Sequence, residues 1–237
     1  MAVPADFRYT GFYDLLADAV FQHRLAAKCT ESYSMNRHAR ASVMASALSV
    51  ECAANCLLNS LDLPSALLND LDKISALSKI DSAIRLRSDS KLDRGRNEVQ
   101  KIAELIKARN DYVHPRATNI KADVALPEDA GENWLLPMSL DGEHWPAIGI
   151  PKKAMLWSED SSLATLKAVA AFFKYVFVEV LDASMDELHS MLPSVMQMGD
   201  VQILAIFEEF RSELKSANEF GIDLSFFGVY ESGSTKA

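Results

Sequence analysis

The chain has 237 residues, 49 % of them hydrophobic and 24 % charged, and a formal net charge of −9. That is enough material for one enlarged domain with a continuous core, and the balance excludes general disorder. Nine glycines and eight prolines are too few for collagen, propellers or turn-rich β-sandwiches, and the acidic sum argues against a protein that coats nucleic acid indiscriminately.

Apolar positions recur at helical spacing through most of the length. A first helix is predicted from about Gly11 to Ala27, with Phe12, Leu15, Leu16, Val20, Phe21 and Leu25 on one side. A second runs from about Arg40 to Leu61. It is small and apolar almost all round (Ala45, Leu48, Ala53, Ala54, Leu57, Leu58), which places it in the middle of a bundle. Pro64 stops it, because the residue before proline avoids the helical region.

A third, shorter helix is predicted over about Asp70 to Ile84. A fourth covers about Asp93 to Val113, with Val99, Ile102, Leu105, Ile106 and Tyr112 as its stripe and Pro115 as its stop. Further helices are expected at about Ser161 to Leu181 and Val201 to Phe220, and a polar tail at Glu231 to Ala237. Between them, Arg116 to Trp157 changes character. Its prolines, glycines and three tryptophans (Trp134, Trp145, Trp157) read as an insertion, with a small hairpin expected around Trp134–Leu136 and Ala147–Ile150. The tryptophans either cover one end of the bundle or stack on bases. The predicted architecture is an all-α, up-and-down bundle of about five to seven helices, interrupted by that insertion.

The strongest candidate for a membrane span at this level is Ala168–Phe173 continued by Tyr175–Val178, which Lys174 and Glu179 interrupt well short of the ~20 residues needed. Without a basic, apolar leader at the N-terminus, a cytoplasmic location and no membrane partner are expected. Cys29, Cys52 and Cys56 are odd in number and read as reduced packing residues. The five histidines are scattered and no CxxC occurs, so neither a metal site nor a cofactor is expected.

Charge is unevenly distributed. Asp72 to Lys121 holds twelve Lys or Arg against seven Asp or Glu, a local +5 that leaves −14 on the remainder. This is either a solvated helical face of mixed charges or a phosphate-attracting surface on an acidic body.

The chemistry concentrates at Ala108-Arg109-Asn110-Asp111-Tyr112-Val113-His114-Pro115. Asn110 and His114 are four apart and share a helix face, with Arg109 beside them. A histidine in a last turn meets unpaired carbonyls and the negative end of the helix dipole. A guanidinium can grip phosphate oxygens and an imidazole can move a proton, a set suited to metal-free phosphodiester chemistry. On RNA, the 2′-hydroxyl would attack the adjacent phosphate; DNA lacks that nucleophile. The plainer roles are an ion pair of Arg109 with Asp111 or Glu104, and helix capping by Asn110 and His114. Glu51, on the apolar second helix, needs a partner: Arg109, His114, or another basic residue of the core. Asn55 lies one turn further on.

Arg109-Asn110-x-x-x-His114 resembles the Arg-x4–6-His motif of HEPN domains, in the version where a polar residue follows the arginine. The small-residue helix from Ser46 to Leu58, with Glu51 and Asn55, is similar to the first core helix of many members. The likeness covers about Arg37 to Leu181 and leaves Arg116 to Ser158 unexplained. It implies a single HEPN-like helical domain with a core of about 37–115 and 159–220. It also implies a homodimer and a metal-independent endoribonuclease of the toxin, defence or RNA-processing kind that cleaves single-stranded RNA by transesterification. Arg109 and His114 would be catalytic, Asn110 would position the phosphate or the histidine, and Glu51 and Asn55 would support them. The alternative is a non-catalytic interaction or nucleotide-binding module of the same fold, with a protein partner or antitoxin.

Overall fold

The computed structural model describes residues 4–117, 119 and 142–228, together with the strands at 122–124 and 138–140. Eight α-helices lie among the described residues, one more than the expected range. They are α1 (Phe12–Lys28), α2 (Ser32–Asn59), α3 (Ser65–Leu71), α4 (Ala76–Arg87), α5 (Asn97–Val113), α6 (Glu159–Phe173), α7 (Met185–Met191) and α8 (Glu208–Ser216).

The bundle is built on α2, which packs against α1, α4, α5 and α6. Small side chains make this possible: Ala39, Ser42, Val43, Ser46, Ala47, Val50, Ala53 and Ala54 are all buried and let neighbouring backbones approach closely. Helix α1 turns back along it, held by Ser42 Oγ donating to Ala19 O at 2.7 Å and by the His38 Nδ1 to Gln22 Oε1 contact at 2.8 Å. By length and composition α2 is long and apolar enough to cross a membrane, more so than the 168–178 run, but 67 % of its apolar window is buried inside the protein. An all-round apolar helix at the centre of a bundle has that composition for packing reasons.

The predicted third helix is two. Ser75 caps a new start by accepting from Ser78 N at 3.3 Å, and this breaks the apolar period after Leu71. Helix α6 widens at its end into a π-helical stretch over Lys174–Val180 that buries Tyr175, Val176 and Phe177. Phe12, Phe173, Phe177 and Phe227 meet there edge to face, with ring centroids 5.4–6.0 Å apart.

Two departures concern strands. The segment expected as the start of the last helix forms β5 (Val201–Leu204), antiparallel to β4 (Val195–Met198), which also pairs with β1 (Asp6–Arg8). Gly199, at φ +56°, opens the two-residue turn between β4 and β5, and helix resumes only at α8. The insertion does contain a hairpin, but between β2 (Ala122–Val124) and β3 (Met138–Leu140). Trp134–Leu136 and the tail from Glu231 lie outside the described residues. Ala147–Ile150 forms a tight turn closed by Trp145 N donating to Ile150 O at 2.8 Å.

Candidate functional site

Helix α5 faces the core through Val99, Ile102, Leu105 and Ala108, all buried. That register turns Arg109 towards α2 and leaves Asn110 and His114 exposed. The last helical bond is His114 N to Asn110 O, 3.0 Å, and His114 itself leaves the helical region at φ −123°, ψ 61°, as the following proline requires.

The guanidinium of Arg109 joins two elements. Its Nη2 donates to Glu51 Oε2 on α2, and its Nη1 donates to Asn110 Oδ1 at 3.0 Å. Its Nε is buried and has no hydrogen-bond partner. Neither Asp111 nor Glu104 is its ion-pair partner. The carboxylate of Glu104 instead accepts from the backbone N–H groups of Ala147 and Ile148, at 2.8 and 2.9 Å. Asn55 points elsewhere: its Oδ1 accepts from the buried Lys79 Nζ at 2.7 Å. The same ammonium donates to Asp72 at 2.6 Å and holds that carboxyl below the usual carboxylate range.

Asn110 and His114 line an open groove of about 1480 Å³. One wall is the end of α5 with Pro115 and Arg116. The other is the insertion, through Gly142, Glu143 and Lys152 to Met155. Arg109 is not among the lining residues; it lies behind Asn110. Three permanent cations line the groove (Arg116, Lys152, Lys153) with two carboxylates, Asp111 and Glu143. Lys152 Nζ is 2.6 Å from Glu143 Oε2 and lies 5.6 Å from the centre of the Trp145 ring.

No family model matches the chain, and no curated protein or solved structure matches it.

The far wall is fixed to the bundle at three points. Glu104 holds the 147–148 turn. Trp157, 2 % exposed, donates from Nε1 to Pro151 O at 2.7 Å and lies against the Tyr112 ring, centroids 5.9 Å apart. The Asn36 amide on α2 reaches the carbonyls of Ala154, Met155 and Trp157 at 3.0, 3.2 and 2.7 Å. Trp157 and the partly buried Trp145 thus cover the bundle, the first of the two roles expected of the tryptophans.

Sequence reading singles out neither Asn36 nor Lys152, and it offers Glu104 only as a partner of Arg109, not as the anchor of the insertion. A further residue it passed over is Arg40, one turn from Asn36 and on the same α2 face as Glu51. It is half-buried, with its Nε enclosed and without a hydrogen-bond partner. The signal was available: Asn36, Arg40, Ala47 and Glu51 fall within one narrow stripe when α2 is extended back to Ser32. Among the described residues, no three His, Cys, Asp or Glu side chains converge as a metal cluster.

Proposed function

We propose that this chain is a HEPN-type ribonuclease that works as a homodimer and cleaves single-stranded RNA by metal-independent transesterification. The observation that carries the reading is the relay Glu51–Arg109–Asn110, which ends at a groove shared with His114 and lined by Arg116, Lys152 and Lys153. The imidazole of His114 transfers the proton to or from the ribose 2′-hydroxyl or the leaving oxygen. Asn110, fixed by Arg109, donates its amide to a phosphate oxygen. Arg109 supplies positive charge directly behind it as the phosphorane forms. Arg116, and Lys152 on exchanging Glu143 for phosphate, hold the flanking phosphates.

A second reading is favoured by one specific observation. The Arg109 charge is already matched by Glu51, which is what a structural strut or a non-catalytic binding module requires. The two separate in one experiment. Single-stranded RNA is incubated with the dialysed wild-type protein and with His114→Ala, each in EDTA. The nuclease reading expects cyclic-phosphate products from the wild type and loss of cleavage by about 10²-fold or more in the variant. Intact RNA in both, with a stable dimer in solution, sinks it in favour of the module.

A further inference from the structure

The sheet β1–β4–β5 leaves an apolar face in water. The register aligns Phe7 with Met196 and Met196 with Ile203, and pairs Met198 with Val201. Residues opposite one another share a face, so one side of the sheet carries Phe7, Met196, Met198, Val201 and Ile203, apolar without exception. The other side carries Asp6, Arg8, Val195, Gln197, Gln202 and Leu204. Only Val195 among all these is buried. Phe7 is 54 % exposed, Val201 56 % and Ile203 42 %. A contiguous exposed apolar face of this kind marks an interaction surface.

Three further features define what it fits. First, β1 and β5 each pair only with β4 among the described residues, so both outer backbone edges are available to an added strand. Second, acidic side chains border the strands and the cleft beside them: Asp200 in the β4–β5 turn, Asp14 at the start of α1, and Glu208 and Glu209 in the first turn of α8, with Arg8 and Arg211 as cations of the same region among the described residues. Of these cations, Arg8 donates to the Ser190 and Pro193 carbonyls from the opposite sheet face, and the charge of Arg211 acts on the Tyr13 phenol. Third, a cleft of about 50 Å³ opens where the strands end, lined by Tyr9, Asp14, Phe207 and Phe210 and by Tyr13. Tyr13 is 3 % exposed and its hydroxyl has no hydrogen-bond partner. Aromatic walls and the Asp14 carboxylate, whose Oδ2 accepts from the Tyr9 hydroxyl at 3.0 Å, match a side-chain cation. A second copy would bring the same carboxylates face to face, and an anionic membrane or nucleic acid would meet them with like charge.

We infer that this face binds an extended, basic segment of another polypeptide. The segment adds to the sheet, lays alternate apolar side chains over the exposed face and places a lysine or arginine in the aromatic cleft. The surface does not involve the groove of His114, so it stands or falls independently of the ribonuclease reading.

The test uses the full chain and two fluorescein-labelled peptides, one alternating leucine with lysine and one alternating leucine with glutamate, read by fluorescence anisotropy. The lysine peptide binds and weakens as salt rises, and the glutamate peptide binds at least about tenfold more weakly. Ile203→Lys, or Asp200→Lys should the first variant lose its native circular dichroism, reduces lysine-peptide binding by about tenfold. Equal binding of the two peptides, no binding of either, or an unchanged affinity in both variants overturns the inference. So does a sedimenting dimer that Ile203→Lys dissociates, since the occupant is then a second copy.

Discussion

Glu51 on α2 and Arg109 on α5 form an ion pair that ties the apolar helix to the end of the motif helix, with side-chain exposures of 40 % and 22 %. Its partial exposure limits what it contributes to stability, because solvent screens both charges. Glu51→Gln is therefore expected to lower unfolding stability by only about 1 kcal/mol, measured by urea denaturation. Its effect on RNA cleavage should be larger, because the relay to Asn110 loses its fixed end. A variant with unchanged cleavage would show that the pair is only a strut.

Asn36 is a donor facing three carbonyls, and that makes the sign of substitution informative. Asn36→Ala leaves those oxygens with fewer partners and should cost roughly 1–3 kcal/mol. Asn36→Asp replaces the donor with an acceptor against the same oxygens and should cost more. Thermal unfolding of the two variants side by side gives the order; a less destabilised aspartate variant contradicts the geometry.

The Glu104 carboxylate receives two backbone N–H groups from the turn of the insertion. Glu104→Ala orphans both, at a cost of roughly 1–3 kcal/mol. Glu104→Gln keeps the acceptor oxygen and should recover part of it. Hydrogen exchange at Ala147 and Ile148 is the direct measurement, with protection lost in the alanine variant first.

His23 is buried beside Ser162 Oγ (2.8 Å) and the Phe220 ring, with its Nε2 unpartnered. Burial, and then the charge of Lys167, hold its imidazole below the usual histidine value of 6.5. The unfolded chain therefore binds this proton more readily than the native one. Stability is retained above about pH 6.5 and falls as pH drops below it. His23→Gln should flatten the wild-type decline in urea midpoint between about pH 7 and pH 5. An equally steep decline in the variant would assign the effect to other groups.

Lys152 lies in the groove wall that the proposed RNA path follows. Lys152→Glu should weaken RNA binding and lower the slope of log affinity against log salt by about 1, since one phosphate contact is lost. Electrophoretic mobility shifts at several salt concentrations measure both quantities.

The helices were legible because their apolar positions repeat at a period that only a helix satisfies, and Val99, Ile102 and Leu105 are buried as that period requires. The sheet was not. Val201, Ile203 and Leu204 fit a helical stripe as well as a strand, and what decides between them is the two-residue hairpin turn at Gly199-Asp200, a weaker signal than the helical pattern that follows. The motif at Arg109 to His114 was legible as local spacing on one helix. Its setting was not, because Asn36, Glu51 and Glu104 meet their partners across the fold, and one sequence carries no record of long-range pairing. The same applies to Asn55, whose neighbour Lys79 is on α4.

Both walls of the groove are referenced to one rod. Asn36 grips the insertion and Glu51 grips the motif helix, and fifteen residues of unbroken helix hold these two anchors about 22 Å apart. The aperture is thus gauged by a single rigid part rather than by the loops that border it. Inserting or deleting a residue between the anchors would swing one of them about 100° around the axis, and it would turn the buried small-residue face of α2 out of register with its neighbours at the same time.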